Sequence, residues 1–408
     1  MAWQPAQQPG DVDPLISDAK RELAKYSYGR GLGTSDEYTH EFGVALVRYG
    51  KAIHDQVIKG RRTPPDPNTR GVFDWAVKRQ LGLIGDPTTG VITKPRVRHP
   101  FYVFRGTGGI VGQDPVSRVC QGAADLVEEI NTPWDATMGG IPVGATQGGI
   151  GAASMWGCVQ KALPIAQADF IARRKVNPRI KAGVGGYSAG DVIAALFEQW
   201  ILENFPENFL CGFRLGSPTR PAGGAFFAAP VVPWGNGIAD FTQGNPRDWR
   251  TIWLTHEGDM YAQIPGGTVG EIMELFYRLA TRFAFSDLMA SMREGITMLP
   301  KAIELAGIEV PEVLAALSGG IPGLFSFGFM KLMAALPGLI QTGTPLEQLT
   351  GTAAAAAAAR LALTFLFQGT GPHIRYEWDP AWPGGPTFVQ LGIQHVRDWA
   401  SRPENRAA

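Results

Sequence analysis

Ser188 lies at the centre of a Gly-x-Ser-x-Gly motif at residues 186–190. The Ser188 hydroxyl could act as a nucleophile. A short β-prone run precedes the motif, and apolar residues recur at helical spacing over about 189–204. A sharp strand-to-helix turn of this kind holds a hydroxyl out of a sheet at the positive end of a helix dipole. Because glycine is abundant in this chain, at 52 residues, an ordinary glycine turn between a strand and a helix is the alternative.

A serine nucleophile needs a base to take its proton and a carboxylate to orient that base. Three of the six histidines follow Ser188, namely His256, His373 and His395. His395 lies within a predicted helix over about 388–400, where we expect a solvent-facing side chain. His373 lies in a glycine–proline turn after a long helical stretch, and we predict that it is the base. A histidine that only caps this turn is the alternative.

Asp259 is the predicted carboxylate, because it follows a predicted strand over 251–255. Sites of open α/β sheets form in the loops at the C-terminal ends of the strands. The order serine, aspartate, histidine along the chain is also that of α/β-hydrolases. Glu257, Asp240 and Asp248 are competing carboxylates, and an N-cap of the short turn after Asp259 is the structural alternative.

Two backbone N–H groups are predicted to hold a developing oxyanion. One belongs to Ala189, the residue after the nucleophile. The other belongs to Thr107, in the glycine-rich loop 105–109 that follows a predicted first strand over 101–104. A plain glycine-rich turn is the alternative for this loop. A dinucleotide fingerprint does not fit, because Pro115 separates the glycines from the next helix.

The order of predicted elements indicates an α/β fold with a parallel sheet. Predicted strands over 101–104, 209–215 and 251–255 alternate with predicted helices over about 116–130 and 151–175. We assign residues 98–263 and 369–408 to this sheet domain. Residues 264–368 are predicted to be a helical insertion, which includes the alanine run 353–359. Residues 11–95 are predicted to form a small helical N-terminal domain.

The composition excludes several classes of function. Lys and Arg together number 37, as do Asp and Glu, so the net charge is zero and gives no reason to expect nucleic-acid binding. The three cysteines show no metal-binding spacing and are read as buried thiols, with a Cys158–Cys211 disulfide as the alternative. No metal-binding motif is present, so we predict neither a metal nor a cofactor.

Two segments bear on targeting and membrane insertion. The N-terminus lacks the basic and apolar regions of a secretory signal peptide. The most apolar segment, 321–340, is interrupted by proline, glycine and lysine, which makes it a poor transmembrane helix. We therefore expect synthesis in the cytoplasm and no transmembrane segment.

Several short motifs resemble those of the lysin B family of mycobacteriophages, which are cutinase-like serine esterases with an α/β-hydrolase fold. They occur in the family's order at residues 104–108, 186–190, 215–223, 258–262 and 371–373. The resemblance implies that the substrate is the ester joining mycolic acids to arabinogalactan, and that the protein acts at the host cell envelope once lysis begins. It also implies Ser188, Asp259 and His373 as the catalytic triad.

Two departures from the family pattern stand out. Ala189 occupies a position where glutamine is frequent, which removes a possible side-chain support of the oxyanion hole but keeps the N–H. The helical insertion is also long. Its apolar side chains could line a groove for acyl chains or could simply be helical core; they are Phe276, Phe283, Phe285, Phe325, Phe327, Met330 and Met333.

The N-terminal unit resembles the small helical peptidoglycan-binding repeat of wall hydrolases. The matching residues are 68–71, 76–80, 82–83, Asp86 and 89–91. A generic helical extension is the alternative. For the whole chain, a general cutinase or lipase and a non-catalytic wall-binding protein remain the competing functions.

Overall fold

The computed structural model describes residues 7, 9–62, 66–83, 98–140, 149–226, 229–230, 232–306, 345–367, 371–402 and 405. The strands among them are β1 (His99–Phe104), β2 (Val127–Asn131), β3 (Ala182–Tyr187), β4 (Phe209–Leu215) and β5 (Thr251–Leu254). The α-helices, in chain order, are α1 (Pro14–Leu23), α2 (His40–Ile58), α3 (Trp75–Gln80), α4 (Pro115–Gln121), α5 (Met155–Val176), α6 (Ala189–Asn204), α7 (Gly267–Arg282), α8 (Leu288–Ala306), α9 (Gly351–Phe367), α10 (Gly371–Ile374) and α11 (Phe388–Ser401).

The described strands form one five-stranded sheet in the order β2-β1-β3-β4-β5. Every neighbouring pair is parallel. The predicted α/β fold with a parallel sheet is therefore confirmed. In a parallel sheet all C-terminal strand ends lie along one edge, so the segments after β1, β3 and β5 meet there.

Helices cover both faces of the sheet, which is why β1, β3, β4 and β5 are buried along their whole length. Side chains alternate between the faces, so Phe101 and Val103 of β1 join the core under α4 and α11. Tyr102 and Phe104 point the other way and join the core under α5 and α6. The strand that precedes Ser188, β3, is therefore packed on both faces.

The predicted helix over 116–130 is wrong in its second half. Helix α4 ends at Gln121 with Gly122 as its C-cap, and residues 127–131 form β2 at the sheet edge. Val127 to Asn131 pair in register with His99 to Val103 of β1. Backbone pairing with an existing strand outweighs the weak helical preference of this segment, which a sequence pattern cannot register.

The N-terminal helices α1, α2 and α3 enclose their own apolar cluster, centred on Phe42, Leu46 and Tyr49. Arg402, just after α11, bonds Asp13 at the start of α1 at 3.3 Å, so this unit contacts the end of the chain. Asp86 and residues 89–91, which carry part of the peptidoglycan-binding resemblance, lie outside the described residues. The boundaries 11–95 remain a prediction.

Helices α7, α8 and α9 pack together around a further apolar cluster. They occupy the described parts of the predicted insertion 264–368, whose boundaries also remain a prediction. Phe276 and Phe285 are exposed, so these two side chains are not helical core. Four other members of the predicted apolar stripe lie outside the described residues: Phe325, Phe327, Met330 and Met333.

A buried ionic network joins α6 to the sheet beneath the Ser188 turn. Arg214 of β4 bonds Asp191 at 3.2 Å and Glu198 at 2.8 Å, and all three side chains are buried. Thr251 of β5 donates to Glu198 at 2.7 Å. Burial raises the pKa of Glu198, and the Arg214 charge opposes that rise. The two carboxylates therefore depend on one guanidinium for compensation.

Replacing Arg214 with Met should lower the free energy of unfolding by about 3–5 kcal/mol, because it leaves buried carboxylates without a counter-charge. Urea-induced unfolding followed by circular dichroism measures this. Lys59→Met, which removes an exposed ion pair with Asp55, is the matched control and should change stability by less than about 1 kcal/mol. Equal effects of the two substitutions would contradict the importance of the buried network.

Candidate active site

Ser188, His373 and Asp259 form a continuous hydrogen-bonded chain. The Ser188 Oγ lies 2.8 Å from the His373 Nε2. The His373 Nδ1 lies 2.9 Å from Oδ2 and 3.0 Å from Oδ1 of Asp259. All three residues are buried: Asp259 is completely inaccessible, and Ser188 and His373 are each 7% exposed. This geometry suits an imidazole that donates through Nδ1 to the carboxylate and accepts the serine proton at Nε2.

The turn that carries Ser188 has an unusual backbone conformation. β3 ends at Tyr187, α6 begins at Ala189, and Ser188 between them has φ 54° and ψ −132°. Apart from glycines, only Ala136 shares a positive φ among the described residues. The Ser188 N–H donates to the Leu215 carbonyl at 3.1 Å, and this bond ties the strained turn to the end of β4. In this conformation the Ser188 Oγ lies within hydrogen-bond distance of the His373 Nε2.

Asp259 follows β5 and is held by hydrogen bonds from two directions. The Tyr261 N–H donates to Oδ1 at 2.9 Å, so the carboxylate also caps the short turn after it. The Tyr376 hydroxyl donates to Oδ2 at 2.5 Å and accepts from the His256 N–H at 3.0 Å. These donors orient the carboxylate toward His373. The sequence patterns did not indicate Tyr376.

The competing carboxylates are engaged elsewhere. Asp240 lies 3.6 Å from Arg278 and 3.7 Å from Arg282. Asp248 pairs with Arg250 at 2.7 Å, and Glu257 is exposed.

The competing histidines also have other partners. His256 lies 2.9 Å from Asp379. The expectation that His395 faces solvent is wrong, because α11 buries its side chain completely against the sheet. Its Nε2 bonds the Arg250 carbonyl at 2.7 Å. Burial lowers its pKa to about 3, so this imidazole stays neutral in the core.

The loop after β1 lies against Ser188. A Cβ on Gly106 would be 3.3 Å from the Ser188 Cβ and 2.9 Å from the Tyr187 ring. Thr107 follows Gly106, and Ala189 begins α6, so both predicted oxyanion donors belong to segments that adjoin Ser188. Their role remains a prediction.

Asp114 holds this loop in place and was missed by sequence reasoning. Its Oδ2 accepts from the Gly106 N–H at 3.1 Å, and its Oδ1 accepts from the Val116 N–H at 3.3 Å as the N-cap of α4. Burial raises the pKa of this carboxyl to about 6, although the two backbone N–H groups and Arg105 oppose the rise. The aspartate–proline pair at 114–115 is a helix-start signal that could have drawn attention to it.

Two tyrosines flank the imidazole. The ring centroids of Tyr261 and Tyr187 lie 4.4 Å and 5.4 Å from that of His373, and each ring is inclined to it by 23°. The Tyr187 hydroxyl donates to the His373 carbonyl at 2.7 Å.

Within the described part of the chain, no group of three or more histidine, cysteine or acidic side chains could hold a metal ion. The three cysteines are buried free thiols. A search of the described helices finds none with the length and apolar character needed to span a membrane.

The solved structures that match this chain include the following two. Lysin B from Mycobacteriophage D29 is 17% identical with a TM-score of 0.35, over 50% of this chain and 87% of that one. A cutinase-like protein from Cryptococcus sp. is 12% identical with a TM-score of 0.33, over 51% of this chain and 94% of that one. The chain matches no protein-family model and no curated protein sequence. Both likenesses are weak, so the fold class rests on the sheet and the chemistry rests on the site.

Gly216→Ala should disturb the histidine–aspartate pair. Gly216 has φ 52°, and a Cβ there would lie 2.8 Å from the Asp259 Oδ2 and 3.0 Å from the His373 Cε1. We expect Ser188 labelling by a fluorophosphonate probe to slow about 100-fold, since small displacements of reacting groups have effects of that size. Gly223→Ala is the control for backbone strain alone, because Gly223 has φ 79° and open surroundings. Similar labelling rates for both variants would refute the steric argument.

Asp114→Asn should change how stability depends on pH. In the wild-type protein the raised pKa makes the folded state keep a proton that the unfolded state releases, so stability falls as pH rises from the usual aspartate pKa towards 6. Between pH 4.5 and 7 this group should lower the free energy of unfolding by about 2 kcal/mol. In the asparagine variant this pH-dependent decrease should be absent, as measured by urea unfolding at pH 4.5 and pH 7. An unchanged pH dependence would contradict the assignment.

Proposed function

We propose that this protein is a serine esterase whose nucleophile is Ser188. The observation that carries the proposal is the chain of hydrogen bonds from Ser188 through His373 to Asp259, with the serine in a strained turn at the start of a helix. This arrangement activates a hydroxyl for attack on a carbonyl.

In the proposed reaction, Ser188 Oγ attacks the ester carbonyl while His373 Nε2 takes its proton. Asp259 stabilises the imidazolium that forms, and the N–H groups of Ala189 and Thr107 stabilise the oxyanion. His373 then protonates the leaving alcohol, and the acyl group stays on Ser188. Water, activated by His373, attacks the acyl-enzyme and releases the acid.

The proposed substrate is the ester between mycolic acids and arabinogalactan in the mycobacterial cell wall. The order of the sequence motifs supports this choice through their resemblance to the lysin B family. Exposed apolar side chains also suit a lipid ester: Ile374 follows the proposed base directly, and Ile110 and Val111 follow the loop 105–109. We propose in addition that the protein acts at the host envelope during phage lysis, after synthesis in the host cytoplasm.

The N-terminal helices could serve to hold the enzyme at the wall. We propose residues 11–95 as a peptidoglycan-binding unit, on the strength of the repeat-like residues 68–71, 76–80 and 82–83. Pull-down of the full-length protein with purified peptidoglycan checks this proposal, and no sedimentation with the wall polymer would reject it.

Hydrolysis of p-nitrophenyl butyrate should fall at least about 1,000-fold in Ser188→Ala and His373→Ala, because members of a triad act as a unit. Asp259→Asn should be reduced by a factor of about 100 to 10,000, since the imidazole loses its orienting charge. His40→Ala is the matched control, because His40 is exposed at the start of α2 and should keep full activity. Release of free mycolic acids from mycolyl-arabinogalactan is followed with the same variants.

The outcomes separate the candidate functions. Loss of both activities in the Ser188 and His373 variants supports the esterase and its substrate. Ester hydrolysis without mycolate release keeps the mechanism but favours a general cutinase or lipase. Inactivity of the wild-type protein on both substrates rejects catalysis and leaves a non-catalytic wall-binding protein.

A further inference from the structure

Two aromatic rings stack against the imidazole of His373. Tyr261 lies at 4.4 Å and Tyr187 at 5.4 Å between ring centroids, each within 23° of parallel. Tyr187 precedes the nucleophile on β3, whereas Tyr261 follows Asp259 in the loop after β5. The two rings therefore come from the same segments that supply the serine and the carboxylate.

Both phenols present neutral rings to the histidine. Burial raises the pKa of Tyr261, and the nearby Asp259 charge raises it further. Burial also raises the pKa of Tyr187, with the charges of Asp114 and Asp259 adding to the effect. Since neither ring ionises near neutral pH, the faces that the imidazole contacts keep the negative quadrupole potential that attracts cations.

We infer that Tyr187 and Tyr261 are positioning residues that stabilise the imidazolium form of His373 by cation–π interaction. This inference rests on the proposed function, in which the imidazole becomes a cation while Ser188 attacks. The stacked rings also restrict rotation of the imidazole, so Nε2 stays directed at the serine and Nδ1 at Asp259.

Other groups lie around the histidine–aspartate pair. The Asp259 carboxylate bonds the His373 Nδ1, and the Tyr376 ring meets the imidazole edge-on at 6.5 Å between centroids. Arg220, whose guanidinium is buried, interacts electrostatically with Asp259 and Tyr376. A substitution at Tyr261 leaves the side chains of these groups in the chain, so it tests the contribution of one stacked ring.

A purely structural role makes the opposite prediction. If Tyr261 only excludes water, replacing its ring by a smaller aliphatic side chain admits solvent and makes the imidazolium easier to form. If its face stabilises the cation, the same replacement makes the imidazolium harder to form. The direction of the shift in the protonation midpoint therefore decides between them.

The experiment is an NMR titration of ¹³C-histidine-labelled full-length protein, with the His373 signal assigned by its absence in His373→Ala. In Tyr261→Leu the midpoint of His373 protonation should fall by about 0.5 to 1 pH unit. Tyr261→Phe, which keeps the ring, should stay within about 0.3 pH unit of wild type. An unchanged or raised midpoint in folded Tyr261→Leu overturns the inference.

A fluorination series guards against misfolding of the leucine variant. Phenylalanines bearing one, two and three fluorine atoms at position 261 keep the ring's shape while weakening its negative face. The midpoint should fall step by step along the series, and kcat for ester hydrolysis should fall with it while KM changes little. A midpoint that is independent of fluorine number also overturns the inference.

The titration needs no turnover, so the two proposals fail separately. Wild-type inactivity on esters rejects the proposed function while the midpoints remain measurable. Normal esterase activity, together with a His373 protonation midpoint that is the same in all Tyr261 variants, rejects only the cation–π role.

Discussion

The backbone of Ser188 is the constraint on which the rest of the site depends. A positive φ at a serine is costly, and it persists only because β3 is fixed from both faces and α6 is anchored by Arg214 through Asp191 and Glu198. The hydrogen bond from the Ser188 N–H to Leu215 adds a further tie to β4. The free energy gained from the buried core and the ionic network therefore offsets the cost of the strained turn.

Around that turn, the parallel sheet brings together segments that are far apart in the chain. The loop after β1 is held by Asp114, and the loop after β5 carries Asp259. The segment after the helical insertion delivers His373, and Tyr376 from the same segment bonds back to Asp259. Ser188, Asp259 and His373 are thus each held by contacts to segments that are distant in the chain.

Local patterns were reliable where local physics decides the outcome. The strand 209–215, the helix over 189–204 and the final helix lie where the sequence patterns put them. The pattern over 116–130 misled because β2 is stabilised by pairing with β1 rather than by its own preferences. His395 misled because an amphipathic pattern does not reveal which face of α11 meets the sheet.

By itself, the sequence determined the fold class and a short list of reactive candidates, because chain order and residue type limit what a parallel sheet can place at its C-terminal edge. Only the tertiary structure decided that Asp259, rather than Glu257, Asp240 or Asp248, meets His373. Only it brought Tyr261 and Tyr187 into stacking contact with the imidazole. Those outcomes depend on hydrogen bonds and ring contacts between distant segments, whose distances no local pattern encodes.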